Sequence, residues 1–158
     1  MIFVTVGSQL PFDRLVNAID EWAGLNKETK VIVQAGETNF SAKHCQIKNY
    51  LEPVEWEKLL QEAEFIISHA GMGTILKCID SHKPIIILPR EWKLGEIRND
   101  HQLATVKYFE DIPGVYVANT TENLFDAIKS IRKNKDMFMS RQDKNLECLI
   151  SELKLFAS

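Results

Sequence analysis

A glycine-spaced turn near the middle of the chain carries the residues best suited to bind an anion. His69-Ala70-Gly71-Met72-Gly73-Thr74 follows the apolar residues 64–68 and precedes a helix-like segment over residues 75–80. Glycines let the backbone approach a ligand without a Cβ atom in the way, and free N–H groups at a helix start attract phosphate above all. The turn therefore predicts a phosphate site; a tight strand-to-helix connection without a ligand is the alternative.

Two further polar clusters could take part in binding. Gly7-Ser8-Gln9 follows the apolar N-terminal segment and offers backbone N–H groups and a hydroxyl. Asn99-Asp100-His101-Gln102 combines amide, carboxylate and imidazole groups, which suit sugar hydroxyls because each hydroxyl both donates and accepts. The alternatives are that Asn99 or Asp100 is only a helix N-cap, and that His69 is a structural hydrogen-bonding group rather than a ligand to a phosphate or sugar oxygen.

Apolar segments alternate with amphipathic ones along the chain. The predicted strands cover residues 1–6, 30–35, 47–51, 64–68, 84–88 and 115–118. The predicted helices cover residues 12–22, 56–63, 75–80, 100–109, 122–132 (capped by Thr121) and about 137–156. Strands that are apolar along their whole length are usually parallel and covered by helices on both faces. The pattern predicts an α/β fold with a doubly wound parallel sheet of about six strands, in one domain over residues 1–158.

Ligands of such sheets bind beyond the carboxyl ends of the strands. Three features are predicted to meet there: Gly7-Ser8-Gln9 after the first strand, residues 69–74 after the fourth, and residues 89–102 after the fifth. The three polar clusters are therefore expected to form one site.

Composition and missing motifs exclude several classes of protein. The net charge of −3 does not indicate a nucleic-acid binder, and no apolar run has the roughly 18–20 residues of a membrane span. The three cysteines are widely spaced and fit reduced thiols, and no Cys–His pair has zinc-site spacing. The dinucleotide-binding fingerprint, the phosphate-binding loop of ATPases and the nucleophile elbow of hydrolases are all absent.

Five motifs, in this order, resemble the C-terminal domain of glycosyltransferase family 28. They are Val4-Thr5-Val6-Gly7-Ser8, Gln34-Ala35-Gly36, Ile67-Ser68-His69-Ala70-Gly71-Met72-Gly73-Thr74, Lys83-Pro84-Ile85-Ile86-Ile87-Leu88-Pro89-Arg90 and Asn99-Asp100-His101-Gln102. The resemblance covers about residues 1–118. It implies a Rossmann-like fold that forms the C-terminal, donor-binding half of a GT-B glycosyltransferase.

The resemblance also implies a donor site for a UDP-sugar. Its residues are Gly7, Ser8, Gln9, Gly36, Leu51, His69, Gly71, Met72, Gly73, Thr74, Asn99, Asp100, His101 and Gln102. In this scheme the two glycine turns hold the diphosphate, the backbone of Leu51 meets the uracil, and residues 100–102 face the donor sugar. Related enzymes often bind the ribose through a glutamate at the position of Lys77, so the ribose contact of this chain is open.

The implied reaction moves a hexose, galactose in the bacterial enzymes of this kind, from a UDP-sugar to a lipid-linked saccharide in capsule or exopolysaccharide synthesis. A helix dipole and backbone N–H groups would stabilise the charge that develops on the leaving UDP. No metal or other cofactor is expected. The catalytic base is open, with Glu96 and His101 as candidates. The alternatives are a UDP-N-acetylglucosamine transferase subunit and a non-catalytic nucleotide-sugar-binding or regulatory subunit, which Lys77 favours.

The chain has the length of one half of such an enzyme, so the resemblance implies a membrane-anchored partner subunit that binds the acceptor. The helix predicted over about residues 137–156 carries an apolar stripe and is the expected docking face. The protein is accordingly expected in the cytoplasm, held at the inner face of the membrane by its partner.

Overall fold

A parallel sheet forms the centre of the fold. A computed structural model of the chain describes residues 1–134. The six strands of this part are β1 (Ile2–Thr5), β2 (Val31–Gln34), β3 (Gln46–Lys48), β4 (Ile66–His69), β5 (Ile85–Leu88) and β6 (Val115–Val117). They are all parallel and lie in the order β3-β2-β1-β4-β5-β6. The predicted doubly wound α/β sheet of about six strands is confirmed.

Helices cover both faces of the sheet. The α-helices of residues 1–134 are α1 (Asp13–Leu25), α2 (Pro53–Glu62), α3 (Met72–Asp80), α4 (His101–Phe109) and α5 (Thr121–Lys133), with a short 3-10 helix at Trp92–Leu94. None of them combines the length and the apolar character that a membrane span requires. The predicted helix over about residues 137–156 lies outside the described residues.

Alternation along the strands divides the core into two layers. Phe3 and Ile66 are aligned on one face of the sheet, and Val4 and Ile67 on the other, because successive strand side chains point to opposite faces. Helices α1 and α5 pack on the Val4 face, and α2, α3 and α4 pack on the Phe3 face. All four strand side chains are buried, which explains why the strands read as continuous apolar runs.

Two helices begin earlier than the sequence pattern predicts. Helix α2 starts at Pro53 rather than at Trp56, because proline fits the first turn of a helix, where its missing N–H has no partner to lose. Helix α3 starts at Met72, so Gly73 and Thr74 form its first turn rather than the loop before it. The second difference matters for the site, because it sets where the free N–H groups of α3 lie.

The predicted cap of α5 was displaced by one residue. The hydroxyl of Thr120, not that of Thr121, accepts the N–H of Asn123 at 3.2 Å. Strand β3 is also shorter than predicted and ends at Lys48, two residues before the chain turns into α2 through Leu51 and Glu52.

A buried carboxylate anchors the long connection between β2 and β3. The side chain of Asp20, on α1, accepts the backbone N–H groups of Lys43, His44 and Cys45 at 2.8–3.1 Å. Burial of Asp20 raises its pKa, but these three hydrogen bonds together outweigh that effect and hold the pKa below its ordinary value of 3.8. Asp20 therefore fixes the backbone of Lys43, His44 and Cys45, which belong to no strand or helix.

Replacing Asp20 by Asn should lower the free energy of unfolding by about 1–3 kcal/mol at pH 7, because a charged acceptor of three N–H groups is lost. The folded-state pKa of Asp20 is depressed, so its contribution is present above pH 3.8 and disappears as the pH falls through the lower, folded-state pKa. Urea titrations should show that the free energies of unfolding of the wild-type and Asp20→Asn proteins differ less in acid than at pH 7. The control is Asp126→Asn on the exposed face of α5, and an equal loss in both variants would contradict the prediction.

Candidate active site

A cavity of about 460 Å³ lies at the carboxyl edge of the sheet. Its walls come from the segments that follow β1, β4 and β5, as predicted for the three polar clusters. The lining residues are Val6, Gly7, Ser8, Gln9, Leu10, His69, Gly71, Gly73, Thr74, Arg90, Ile97 and Gln102. The fold thus brings together residues that are more than 90 positions apart in the sequence.

A second, smaller cavity of about 250 Å³ adjoins the first and shares Gly7, Ser8 and Thr74 with it. The remaining walls are Thr5, Gln34, Tyr50, Leu51 and Trp56. One side of this cavity is aromatic and apolar, while the shared side is made of glycine and hydroxyl groups. The pair of cavities therefore suits a ligand with a flat, weakly polar end and an anionic middle.

The N-terminus of α3 points into the shared side. Gly71 is the N-cap of α3 and has no side chain that could accept the first N–H groups of the helix. Four N–H groups at a helix start have no partner within the helix, and they carry the positive end of the helix dipole. Gly73 and Thr74, in the first turn, line the cavity. This geometry favours an anion at the first turn of α3.

The guanidinium of Arg90 supplies a formal positive charge to the same cavity. Its Nη atoms donate to the carbonyl oxygens of Val6, Leu10 and Pro11 at 2.5–2.8 Å, and it stacks 4.6 Å from the ring centre of Phe12. Arg90 is only 3% exposed. Burial lowers its pKa to about 10, against a smaller opposite effect of Glu96, so it stays protonated at neutral pH.

The carboxylate that could neutralise Arg90 is already bound elsewhere. Both oxygens of Glu96 accept from Arg14, at 2.8 and 2.9 Å, and one of them also accepts the N–H of Glu91 at 2.8 Å. Arg90 reaches only the backbone carbonyl of Glu96, at 3.3 Å. The cavity therefore holds a buried cation whose hydrogen-bond partners are all uncharged carbonyl groups.

His69 fills the space between the two glycine turns. A Cβ atom built on Gly71 would lie 2.2 Å from Nε2 of His69, and one built on Gly7 would lie 2.7 Å from its Cε1. Gly7 also has a φ of +81°, which side chains other than glycine rarely adopt. Both glycines are therefore required by the fold itself, because the imidazole occupies the space that any larger residue would need.

The His69 side chain is uncharged at neutral pH. Burial is the main reason why its pKa falls to about 4, and the nearby charge of Arg90 lowers it further, against a hydrogen bond with the backbone of Thr5. Its Nδ1 lies 3.2 Å from the hydroxyl of Ser68. A neutral imidazole has one N–H donor and one acceptor nitrogen, so His69 can donate one hydrogen bond without adding charge.

Gln34 fixes the backbone of the first glycine turn. Its amide oxygen accepts the hydroxyl of Thr5 at 2.6 Å, and its amide nitrogen donates to the carbonyl groups of Gly7 and Asn49 at 3.2 and 3.1 Å. Gly36, which the sequence placed in the site, lines neither cavity. Its φ of +60° and its paired hydrogen bonds with Asn49 make it the turn that ends β2.

Several other predicted site residues lie outside the two cavities. Asn99, Asp100 and His101 are exposed and absent from both sets of walls, and Asn99 accepts the N–H of His101 at 3.1 Å. Met72 packs against the hydrophobic core instead. Of the polar cluster Asn99–Gln102, only Gln102 reaches the cavity, where its amide oxygen accepts the N–H of Arg90 at 2.9 Å.

A carboxylate lies beside Lys77, although Lys77 stands where the resemblance implies a glutamate. Nζ of Lys77 lies 3.1 Å from Oε2 of Glu57, which α2 provides. Both side chains are about two-fifths exposed. Trp56, next to Glu57 in the chain, lines the smaller cavity together with Thr74, which lies three residues before Lys77. The carboxylate of Glu57 thus lies next to the position where the resemblance implies a glutamate, although neither Lys77 nor Glu57 lines the two cavities.

A third cavity, of about 480 Å³, lies between α1 and α5. It contains Arg14 and Lys129, but also the carboxylates of Glu21, Glu122 and Asp126. These acids outnumber the two cations and would repel an anion, so size alone does not identify the binding site. Within residues 1–134, no group of three or more His, Cys, Asp or Glu residues is arranged to hold a metal ion.

Sequence reasoning missed Arg90, Gln34 and Trp56 as site residues. Arg90 and Gln34 were noticed only as parts of longer motifs, and Trp56 was assigned to an ordinary amphipathic helix. The signal that could have identified Arg90 is its position, since a charged residue directly after a buried strand and a proline lies at the carboxyl edge of the sheet. Trp56 gave no such signal, because its place depends on how α2 packs.

The architecture defines the class of protein. The doubly wound parallel sheet has the C-terminal-domain fold of GT-B glycosyltransferases, and the chain is similar to a solution structure of ALG13, with a TM-score of 0.60 and 18% identity over 85% of this chain and 86% of that one. A model of the glycosyltransferase family 28 C-terminal domain matches residues 1–155, so the chain belongs to glycosyltransferase family 28.

Two curated relatives show what the chain is similar to. It is 28% identical to the human UDP-N-acetylglucosamine transferase subunit ALG13, over 67% of this chain and 10% of that protein. It is 23% identical to a Leptospira interrogans UDP-N-acetylglucosamine--N-acetylmuramyl-(pentapeptide) pyrophosphoryl-undecaprenol N-acetylglucosamine transferase, over 93% of this chain and 43% of that protein. The chain thus spans less than half the length of either relative.

Replacing Gly71 by Ala should lower the free energy of unfolding by about 1–3 kcal/mol, because the new methyl group overlaps the wedged ring of His69. Gly73→Ala is the matched control, since a Cβ atom at Gly73 meets no heavy atom within 4 Å. Urea unfolding measures both. Adding His69→Ala to Gly71→Ala should restore part of the loss, because the two sites interact directly. Equal stability of the Gly71→Ala and Gly73→Ala proteins would show that the ring does not occupy this space.

Proposed function

We propose that this domain binds a UDP-sugar across the two adjoining cavities and, together with a second subunit, transfers the sugar to a lipid-linked acceptor. The observation that carries the proposal is the combination of the uncapped N-terminus of α3 with the buried, unneutralised guanidinium of Arg90 on one cavity. Both features favour an anion with more than one charge, and the diphosphate of a nucleotide sugar is such an anion.

The division of the site follows from the chemistry of its walls. The diphosphate lies against Gly7, Ser8 and the first turn of α3, which both cavities share. The uracil and ribose occupy the smaller cavity, where Trp56 and Tyr50 offer aromatic surface and the backbone near Leu51 offers polar groups. The sugar extends into the larger cavity towards Gln102 and Ile97.

The reaction depends on the charge of the leaving group. When the bond between the sugar and the diphosphate breaks, negative charge builds up on the outer phosphate of UDP. Arg90 and the N-terminus of α3 border the cavity in which we place that phosphate and need no rearrangement to stabilise the charge. The transfer we propose uses no metal ion.

The base that activates the acceptor hydroxyl is best sought in the partner subunit. Glu96 was one candidate, but both its oxygens are held by Arg14, so its role is to position the loop after β5. His101 was the other candidate, and it is exposed outside both cavities. Neither residue lines the larger cavity, in which we place the sugar.

The donor favoured by the comparisons differs from the first expectation. Galactose transfer in capsule or exopolysaccharide synthesis was expected from the sequence, whereas both curated relatives are named as N-acetylglucosamine transferases or subunits of one. We therefore propose UDP-N-acetylglucosamine as the first donor to test and UDP-galactose as the second.

A non-catalytic nucleotide-sugar-binding subunit is the rival function. Its support is Lys77, which stands where a ribose-binding glutamate is implied by the resemblance. The nearby carboxylate of Glu57 weakens that support, because it can accept hydrogen bonds from ribose hydroxyls in place of the missing residue. Transfer activity, rather than donor binding, separates the two functions.

Replacing Gly73 by Leu should weaken UDP binding by about tenfold or more, equal to about 1.4 kcal/mol, because a Cβ atom at Gly73 meets open space and the longer side chain would occupy part of the cavity that Gly73 lines. Isothermal titration calorimetry with UDP and UDP-N-acetylglucosamine measures the affinity. The matched control is Asn17→Leu, which places the same side chain in the cavity between α1 and α5. Loss of binding in the Asn17→Leu protein, with the Gly73→Leu protein unaffected, would assign the nucleotide to that third cavity.

The purified chain alone should show little transfer, and co-expression with its partner subunit should restore it, because half of the catalytic cleft comes from the partner. The measurement is incorporation of labelled sugar into a lipid-linked acceptor. Deleting residues 140–158 should abolish capture of the partner while leaving UDP binding intact, since we propose that this segment is the docking face. Full turnover by the chain alone would refute the split arrangement.

A further inference from the structure

The loop that follows β5 holds two large apolar side chains out in solvent. Trp92 is 55% exposed and Leu94 is 58% exposed, and both belong to the 3-10 helix Trp92–Leu94. Contiguous exposed apolar surface usually marks a contact with another apolar phase or molecule. Trp92 and Leu94 lie two positions apart in the loop that also contributes Ile97 to the larger cavity, and this position sets them apart from other exposed apolar residues.

The base of this loop is held rigidly. The carbonyl group of Glu91 accepts the N–H groups of Leu94 and Glu96 at 3.1 and 3.3 Å, and the N–H of Glu91 donates to the Glu96 carboxylate at 2.8 Å. Arg14 ties this base to α1 through its two hydrogen bonds with Glu96. The loop is thus fastened to the domain at its base, while the side chains of Trp92 and Leu94 are exposed to solvent.

Much of the acidic charge of the loop is bound to Arg14. Two of the three carboxylates in residues 89–100 contact Arg14, with Glu91 at 3.6 Å and Glu96 at 2.8 Å, and the third, Asp100, is exposed. Lys93 and Arg98 are exposed and form no ion pair within the part of the chain that is described. The exposed groups of the loop therefore include two large apolar side chains and two cations beside a single exposed carboxylate, although the whole chain has a net charge of −3.

We propose that the exposed surface made of Trp92, Lys93, Leu94 and Arg98 anchors the protein directly to the surface of an anionic lipid bilayer. Trp92 and Leu94 would enter the headgroup region, and the two cations would pair with lipid phosphates. Leu10 and Ile97 line the larger cavity next to this loop, so the anchor would hold the mouth of the cavity close to the bilayer.

A bilayer fits this surface better than a protein partner does. The apolar part is a three-residue turn, and the neighbouring exposed residues are small (Gly95), polar (Asn99) or acidic (Asp100). A stable protein interface buries about 800 Å² on each side, whereas a Trp and a Leu beside two cations are sufficient for a weak interfacial contact that acts together with another attachment. The proposal does not depend on the donor chemistry of the site.

The test is sedimentation of the full-length protein with vesicles of phosphatidylcholine, with and without about one-third phosphatidylglycerol. The wild-type protein should bind the anionic vesicles, and Trp92→Ser with Leu94→Ser should reduce binding about tenfold. Lys93→Gln with Arg98→Gln should remove the preference for anionic lipid. The control is Leu25→Ser with Val54→Ser, which changes two side chains that are 79% and 82% exposed elsewhere and should leave binding unchanged.

Titration with UDP is a second readout on the same proteins, and it should be unaffected by Trp92→Ser with Leu94→Ser. Failure of the wild-type protein to bind anionic vesicles, or equal binding by the Trp92→Ser, Leu94→Ser protein, would overturn the anchor while leaving the nucleotide site intact. Vesicle binding that survives the substitutions, together with loss of partner capture, would overturn it in favour of a protein interface.

Discussion

The buried guanidinium of Arg90 is the interaction on which the site depends. It binds the carbonyl groups of Val6, Leu10 and Pro11 and so ties the loop after β1 to the loop after β5. The cost of burying a cation is offset by these hydrogen bonds and by stacking on Phe12, but not by a carboxylate. The domain therefore folds with positive charge in its cavity, and a bound anion would lower the electrostatic cost of that arrangement.

The neighbouring residues at the carboxyl edge of the sheet are arranged around the buried positive charge of Arg90. Arg14 binds the carboxylate of Glu96 and so prevents it from neutralising Arg90. Burial, and to a smaller extent the charge of Arg90, lowers the pKa of His69, which stays neutral and fills the gap between Gly7 and Gly71. Glycine at these two positions is thus needed for packing around the ring as well as for close approach by a ligand. Because Gly7 and Gly71 serve both packing and ligand approach, paired variants are needed to separate a loss of stability from a loss of affinity.

The sequence was sufficient to predict the sheet and the edge that carries the site, because continuous apolar strands and their alternation with helices are local patterns. It could also indicate the turn from His69 to Thr74. It could not show that Asn99, Asp100 and His101 lie outside the cavities, since that depends on the path of the loop after β5 and on the rotation of α4. Arg90 and Trp56 were missed for a related reason: only packing between segments that are distant in sequence brings them to the cavities.

The most direct test of the central claim is a map of backbone amide shifts in the ¹⁵N-labelled protein on addition of UDP, with uridine as the uncharged comparison. The account predicts that UDP moves the amide signals of Gly7, Ser8 and the first turn of α3 most strongly, and that uridine leaves those signals nearly unchanged. Shifts centred instead on the α1 and α5 residues around Asn17 and Thr121, with the signals of Gly71–Thr74 unmoved, would contradict it.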